Sequence, residues 1–455
     1  MGNAQQRKLK IELRGVYDSN ITLTPFNGIR FAQPLIELKN VKAKQSVLLN
    51  IHDSLLPGEF LITYNYRKLH TDQPYPAEQQ LYLNKEDIEI HANPLYLRGD
   101  SLIFINDIEN TLWNTFVNKR AQSMSQISLL EQLLQGYSDK DAPVWLAAKK
   151  EWNKQQKNNN KWIDDMQAQN SELYVSKLFA FSKLPDIDWT ATPKEQLNNT
   201  IENYFKNIDV NDTLLLRSRQ MNQFMGAYMG IFGQISTSIE LRDSLFARAG
   251  ELACQVASKG HPKVYGWFVD YFYKGYESYN ITKGMQVLEK HLQNPNCLTS
   301  KRMEIARRLE GIAKLVPGAK APKLTVKNAM NQDVVLNWNT DDKDYHLVIF
   351  YESDCGHCEH WLKELNTWME NQDNNLWMSV SSIALDDDRE TWLKSHEKNK
   401  FPWTDYYAPG GVNSAAASNY FVLSTPNVFV VDKKGVLLDT PQNIQDLTDF
   451  LHKDN

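Results

Sequence analysis

The sequence has no run approaching the ~20 apolar residues that a membrane-spanning helix needs, and its opening Met1-Gly2-Asn3-Ala4-Gln5-Gln6 lacks the apolar stretch of a signal peptide. Taken literally, these absences predict a cytoplasmic chain. A polar start that runs at once into a strand pattern also fits an exported chain whose signal peptide has been cut away. Positive charge is not in excess: 50 Lys and Arg stand against 55 Asp and Glu, a formal net charge of −5, so no general attraction to nucleic acid or an anionic bilayer is expected. Cysteine is scarce. Cys254, Cys297, Cys355 and Cys358 are too few for a disulfide-stapled scaffold, and only the last two are close in sequence. Aromatic residues are abundant, with 12 Trp, 20 Tyr and 18 Phe in a chain that is 42% hydrophobic and 23% charged, which excludes extensive disorder.

The 455 residues exceed what one core encloses, and about three domains are expected. Over residues 1–106 the pattern is of short strands. Leu9, Ile11 and Leu13 alternate with Lys8, Lys10, Glu12 and Arg14, and Phe60, Ile62, Tyr64 and Tyr66 repeat the period of two. Further apolar runs at 47–49, 81–83 and 88–90, separated by turns such as Pro57-Gly58 and Asn93-Pro94, predict an antiparallel β-sandwich. Over residues 107–315 the period becomes helical, beginning with the stripe Leu112, Trp113, Phe116 and Val117. Helices are expected around Trp145 and over 173–181, 201–205, 214–231, 241–256, 264–273 and 303–315, an all-α middle without a repeat period. The polar run from Asn153 to Lys161 reads as a solvated helix face or loop. Met221, Phe224, Met225, Tyr228, Met229 and Phe232 read as a core stripe, with Gly226, Gly230 and Gly233 allowing close helix packing. Cys254, in a helical stretch, reads as a buried thiol, with a disulfide to Cys297, which follows Asn294-Pro295-Asn296 in a loop, as the alternative in an oxidising compartment.

Val316-Pro317-Gly318-Ala319-Lys320-Ala321-Pro322 is a breaker-rich joint, and from it to residue 455 strands and helices alternate, an α/β pattern. The nearly unbroken apolar run His346-Leu347-Val348-Ile349-Phe350-Tyr351 predicts a central parallel strand covered on both faces. It ends at Glu352-Ser353-Asp354, and Cys355 follows. Cys358, Trp361, Leu362, Leu365, Trp368 and Met369 then keep helical spacing, with Glu359, Lys363, Glu364 and Thr367 on the other side. The first cysteine is therefore predicted at a helix N-terminus and the second one turn inside, on the apolar face. Free N–H groups and the positive end of the helix dipole stabilise a thiolate at Cys355, the expected attacking sulfur. Cys358, shielded yet within reach of a mixed disulfide on Cys355, is the expected resolving sulfur. His357 either brings partial positive charge to that thiolate or is an exposed spacer.

Other uses of such a pair fit less well. Covalent haem attachment wants histidine directly after the second cysteine, where Glu359 stands. Structural zinc needs two more ligands, and Cys355, His357, Cys358 and His360 crowd one short segment with no second pair nearby. In a peroxidatic site a hydroxyl residue would occupy the place of Glu352.

Strand, dithiol and helix together resemble the thioredoxin fold. Thr425-Pro426 opens the run Asn427-Val428-Phe429-Val430-Val431-Asp432, and Lys433-Lys434-Gly435 turns into Val436-Leu437-Leu438. In thioredoxin-like proteins such a proline is cis and lies beside the dithiol, so the resemblance assigns Thr425 and Pro426 a place where an extended substrate segment pairs with the backbone. The entry Gly318, Ala321, Pro322 and the long interval from Cys355 to Pro426 resemble the TlpA-like, AhpC/TSA-type branch. Its extra strand and helix fit Leu376 to Leu385 and the residues after Asp388. A β-domain and a helical middle ahead of such a module resemble multidomain envelope oxidoreductases of Bacteroidetes. Two departures stand out. Asp354 replaces the usual Trp before the first cysteine and opposes the helix dipole, and Ile349 occupies the position of thioredoxin's buried carboxylate. Glu352 is either a substitute proton carrier or an exposed loop-end carboxylate.

The expectation is a multidomain chain with an N-terminal antiparallel β-sandwich, an all-α middle and a C-terminal α/β thioredoxin fold. Its activity is expected to be thiol-disulfide exchange with protein substrates through Cys355 and Cys358, tuned by His357 and Glu352, with Thr425 and Pro426 meeting the substrate. No cofactor beyond the dithiol and no metal is expected. The partners are protein thiols or disulfides and a redox partner, not nucleic acid. The expected location is the periplasm or cell envelope, or the cytoplasm if the N-terminus is native. The alternative is an envelope binding or scaffold protein whose thioredoxin-like domain does no chemistry.

Overall fold

The computed structural model describes residues 6–97, 102–338, 343–371 and 378–453. The chain divides into two compact units, one of residues 1–242, 252–268 and 296–298, the other of residues 243–251, 269–295 and 299–455.

The first unit opens with strands β1 (Gln6–Leu13), β2 (Asp18–Asn27), β3 (Arg30–Phe31), β4 (Ile36–Lys42), β5 (Ser46–His52), β6 (Gly58–Arg67), β7 (Tyr75–Leu83), β8 (Ile88–Ala92) and β9 (Leu102–Ile105). They form two sheets, β5-β1-β8-β9 and β3-β2-β6-β7 with β4 added on β2. Alternation buries every second side chain of a strand, and Leu9, Ile11, Leu13, Leu23, Ile62 and Tyr64 from both sheets meet in one core. The expected sandwich is present, with the difference that β1 and β8 run parallel.

Helices follow: α1 (Ile108–Gly136), α2 (Pro143–Gln169), α3 (Tyr174–Leu178), α4 (Pro193–Asn203), α5 (Gln220–Gln234), α6 (Ile239–Ala257), α7 (Pro262–Ser278), α8 (Thr282–Leu292) and α9 (Arg302–Lys314). The part of α7 from Val269 onward, α8 and α9 belong to the second unit.

Several expectations are corrected. α4 starts at Pro193 rather than 201, because Thr192 and Glu195 form a reciprocal capping box and Pro193 occupies the first turn. The helix expected over 214–231 is a 3-10 turn, Thr213–Arg217, followed by α5. The break falls where Ser218 Oγ (2.8 Å) and the Arg219 N–H (2.9 Å) donate to the buried Glu59 carboxylate on β6. Asn153 to Lys161 lies within α2, and its Gln156 and Asn159 are buried, so the run is not wholly solvated. Met221, Met225, Tyr228 and Phe232 are core residues. A Cβ at Gly226, Gly230 or Gly233 would meet nothing within 4 Å, so these glycines do not mediate close packing. Cys254 and Cys297 are buried thiols.

The α/β segment contributes β10 (Thr325–Lys327), β11 (Asp333–Val335), β12 (Tyr345–Tyr351), α10 (Gly356–Glu370), β13 (Met378–Ala384), α11 (Arg389–Asn399), β14 (Thr404–Tyr407), α12 (Ala415–Asn419), β15 (Asn427–Asp432), β16 (Leu437–Asp439) and α13 (Ile444–Lys453). Leu376, where the extra strand was expected to begin, lies outside the described residues. The sheet order is β11-β10-β14-β13-β12-β15-β16. β12 runs parallel to β13 and antiparallel to β15. Its apolar run has a simple cause, since both faces are covered. Leu347, Ile349 and Tyr351 share a core with Cys358, Trp361, Leu362 and Leu365 of α10, whereas Val348 and Phe350 pack with Ala416, Ala417 and Tyr420 on the opposite face. Each fully buried large apolar side chain contributes about 1.5–3 kcal/mol. The central strand and the helix that follows it are thereby fixed to each other.

Candidate active site

The loop between β12 and α10 presents the two cysteines in different settings. Cys355 is the N-cap of α10, in extended backbone conformation, and its Sγ accepts the N–H of Cys358 at 3.2 Å. The sulfur thus takes the capping place usually filled by an oxygen acceptor and is aimed at by the orphan amides of the first turn. It is partly exposed, whereas Cys358 is fully buried in the core beneath α10. Burial, and after it hydrogen bonding with Cys355, pushes the Cys358 thiol up to about 12. A thiol so placed is inert towards outside reagents, yet its neighbour is the partly exposed sulfur of Cys355.

A second loop closes the site from the side. The Thr425-Pro426 peptide bond is cis, and the Cys355 thiol donates to the Thr425 carbonyl at 3.8 Å. The Thr425 hydroxyl donates to Glu352 Oε2 at 3.4 Å; turned instead towards the Cys358 sulfur, the same hydroxyl favours that thiol's ionised form. Glu352 is half-buried rather than fully exposed. Burial and the charge of Asp354 raise its pKa above the ordinary carboxylate range. The structure therefore brings Glu352, Cys355, Cys358 and Thr425 together. His357 and Asp354 are exposed at the rim. Among the described residues, Cys355, His357, Cys358 and His360 form no cluster of metal-binding geometry.

Two further carboxylates hold this region, and the expectations above named neither. Asp386, just beyond β13, accepts the Ser353 N–H at 2.9 Å and the Ser353 hydroxyl at 2.6 Å, pinning the loop two residues before Cys355. Asp405 on β14 is buried and accepts from Tyr351 Oη (3.0 Å), Ser382 Oγ (2.6 Å) and Trp392 Nε1 (2.8 Å), with His396 Nδ1 also at 3.0 Å. Burial raises both pKa values despite these donors. Asp405 thus fixes the last residue of β12 through its phenol, so both ends of the turn into Cys355 are anchored. The one signal for Asp386 is its place in the acidic run Asp386-Asp387-Asp388, which reads as a solvated loop. Beside the turn a cleft of about 270 Å³ opens, lined by Glu352, Asp354, Leu362, Lys363, Lys398 and Phe401 among others.

Residues 317–440 match the AhpC/TSA family. The C-terminal segment is a thioredoxin-like domain. Among solved structures, a thioredoxin-like protein from Bacteroides caccae is 18% identical over 60% of this chain and 98% of its own, with a TM-score of 0.41. The thioredoxin domain of a thiol-disulfide oxidoreductase from Bacteroides vulgatus is 23% identical over 30% of this chain and 97% of its own, with a TM-score of 0.27. A thiol-disulfide oxidoreductase from Bacteroides fragilis is 22% identical over 30% of this chain and 99% of its own, also at 0.27. No curated protein matches the chain. The thioredoxin-like domain is joined in one unit with α8, α9 and the end of α7.

Proposed function

We propose that the thioredoxin-like domain exchanges disulfides with protein substrates through Cys355 and Cys358. The observation that carries this reading is the asymmetry of the pair, with one sulfur partly exposed at a helix N-terminus and the other buried one turn behind it.

In the reducing direction, the Cys355 thiolate attacks one sulfur of a substrate disulfide. The new S–S bond forms as the substrate bond breaks, and the other substrate sulfur leaves as a thiolate. Cys358 then gives up its proton and attacks the Cys355 sulfur, releasing the second substrate thiol and leaving the Cys355–Cys358 disulfide. The substrate gains two electrons and the dithiol loses two, so a redox partner must restore the dithiol, and oxidation of substrates is the same sequence reversed. Glu352, with its raised pKa and its link through the Thr425 hydroxyl, is suited to take the Cys358 proton. The Thr425-Pro426 backbone is suited to align an extended substrate segment, and the adjoining cleft leaves room for one of its side chains. No cofactor beyond the dithiol enters the scheme.

No helix among the described residues is long and apolar enough to cross a membrane. The resemblance to envelope oxidoreductases of Bacteroidetes supports a place in the periplasm or cell envelope. The reading is tested by insulin reduction with the wild type and Cys355→Ser. The variant is expected to lose activity by about 100-fold or more, because the other three cysteines, Cys254, Cys297 and Cys358, are buried and cannot take over the attack. Equal rates in the two proteins would refute the enzyme reading.

A further inference from the structure

The loop that ends in Thr425-Pro426 is held from outside the sheet. Ser424 Oγ donates to Glu277 Oε1 at 2.9 Å. Glu277, on the last turn of α7, is paired through Oε2 with Arg308 Nε of α9 at 3.2 Å, and the two side chains are only 10% and 12% exposed. Arg308 is fixed in turn by donating to Asn280 Oδ1 at 2.7 Å. α9 meets the same stretch at further points. Arg307 donates to Ser418 Oγ at 3.1 Å, and the Lys314 ammonium lies 5.6 Å from the centre of the Phe421 ring. A Cβ at Gly311 would come within 2.5 Å of the Phe421 side chain, so the helix backbone rests directly against that residue. All these residues belong to the second unit.

We propose that Glu277 and Arg308 are positioning residues that set the place of the Ser424–Pro426 loop, and through it the alignment of a peptide substrate against Cys355. This rests on the exchange reading above. A nearly buried ion pair is a poor source of net stability, since desolvation offsets most of its attraction, but it is stringent about geometry. Here its free acceptor is spent on the residue directly before Thr425, whose carbonyl faces the Cys355 sulfur. The helical segment from Val269 onward thus does part of the work of the site: it fixes the wall along which the substrate lies, while the cysteine loop is fixed independently by Asp386.

The test uses the full chain and two disulfides. One is a disulfide-bonded peptide, whose backbone must lie along the loop, and the other is hydroxyethyl disulfide, which has no backbone to align. Glu277→Ala is expected to raise KM for the peptide about tenfold, the equivalent of one charge-assisted hydrogen bond, with kcat and hydroxyethyl disulfide turnover within about twofold of wild type. Ser424→Ala removes the same bond from the other side and is expected to reproduce the split, which keeps the test decisive should Glu277→Ala not fold. Unchanged KM in Ser424→Ala, or parallel losses on both disulfides, overturns the inference while leaving exchange itself intact. A wild type that exchanges neither disulfide overturns the underlying reading, and this inference with it.

Discussion

The two loops that meet at the dithiol are anchored in contrasting ways. The cysteine loop is held by its own domain: α10 caps on Cys355, Asp386 binds Ser353, and Asp405 binds the Tyr351 phenol at the end of β12. The proline loop takes its hold from helices that precede the domain, through a bond spanning 147 residues of sequence. On the proposed reading, the two sulfurs are set within the α/β fold, whereas the loop proposed to meet the substrate is tied also to helices that precede the domain. Small reagents should sense only the first loop, and peptides both.

The sharpest way to break this contrast is Asp386→Ala, which leaves the Ser353 N–H and hydroxyl without their acceptor. A loss of about 1–3 kcal/mol in stability is expected, together with roughly tenfold slower reaction of Cys355 with every electrophile, iodoacetamide included. Denaturant unfolding and alkylation rates check it. Under the same alkylation, Glu277→Ala is expected to stay within about twofold of wild type, since that reagent has no backbone to align; equal damage by the two variants would erase the distinction between the loops.

A smaller effect is expected at Glu352. As pH rises through its raised pKa the carboxylate ionises and adds negative charge beside the dithiol. Glu352→Gln should therefore alkylate about threefold faster than wild type at pH 7, with the difference vanishing at acid pH where wild-type Glu352 is protonated.

The smallest effects are in the pH dependence of stability, and their sign differs from one carboxylate to another. Burial raises Asp386 and Asp405 in the folded state, so folded protein holds these protons more tightly than unfolded chain. Stability from this source is complete below about pH 4 and is lost as pH rises through the raised values. Asp18 of the sandwich is the reverse. Hydrogen bonds from Arg67, and then Lys42, lower it to about 2, so its contribution is present above about pH 4 and is lost as pH falls through the lowered value. Asp18→Asn should accordingly be less stable than wild type at neutral pH and converge with it near pH 2, whereas Asp386→Asn should fare best against wild type at neutral pH. Urea titrations at several pH values check both.

How legible each part was follows from the range of the forces that make it. β12 and α10 stand out because both faces of one strand and one stripe of one helix are buried, and both patterns are local. β1 and β6 show for the same reason. β14 was missed because it has four residues and turns Asp405 inward, where a period-of-two reading places polar residues outward. It is tolerated only because Tyr351, Ser382 and Trp392, from three other elements, donate to that carboxylate. α8 also escaped notice, and the break before α5 depends on Glu59, which no window around Ser218 contains. Glu277 and Arg308 look like ordinary helix-surface charges until the loop carrying Ser424 folds against them.

Exchange through Cys355 is tested most directly by trapping with Cys358→Ser. Removing the resolving sulfur should leave a substrate protein covalently joined to Cys355, so mass spectrometry of the purified variant is expected to show a mixed disulfide at that residue which dithiothreitol releases and which Cys355→Ser lacks. Contradiction would be an adduct on some other cysteine, or none when the variant is offered an excess of disulfide-bonded protein.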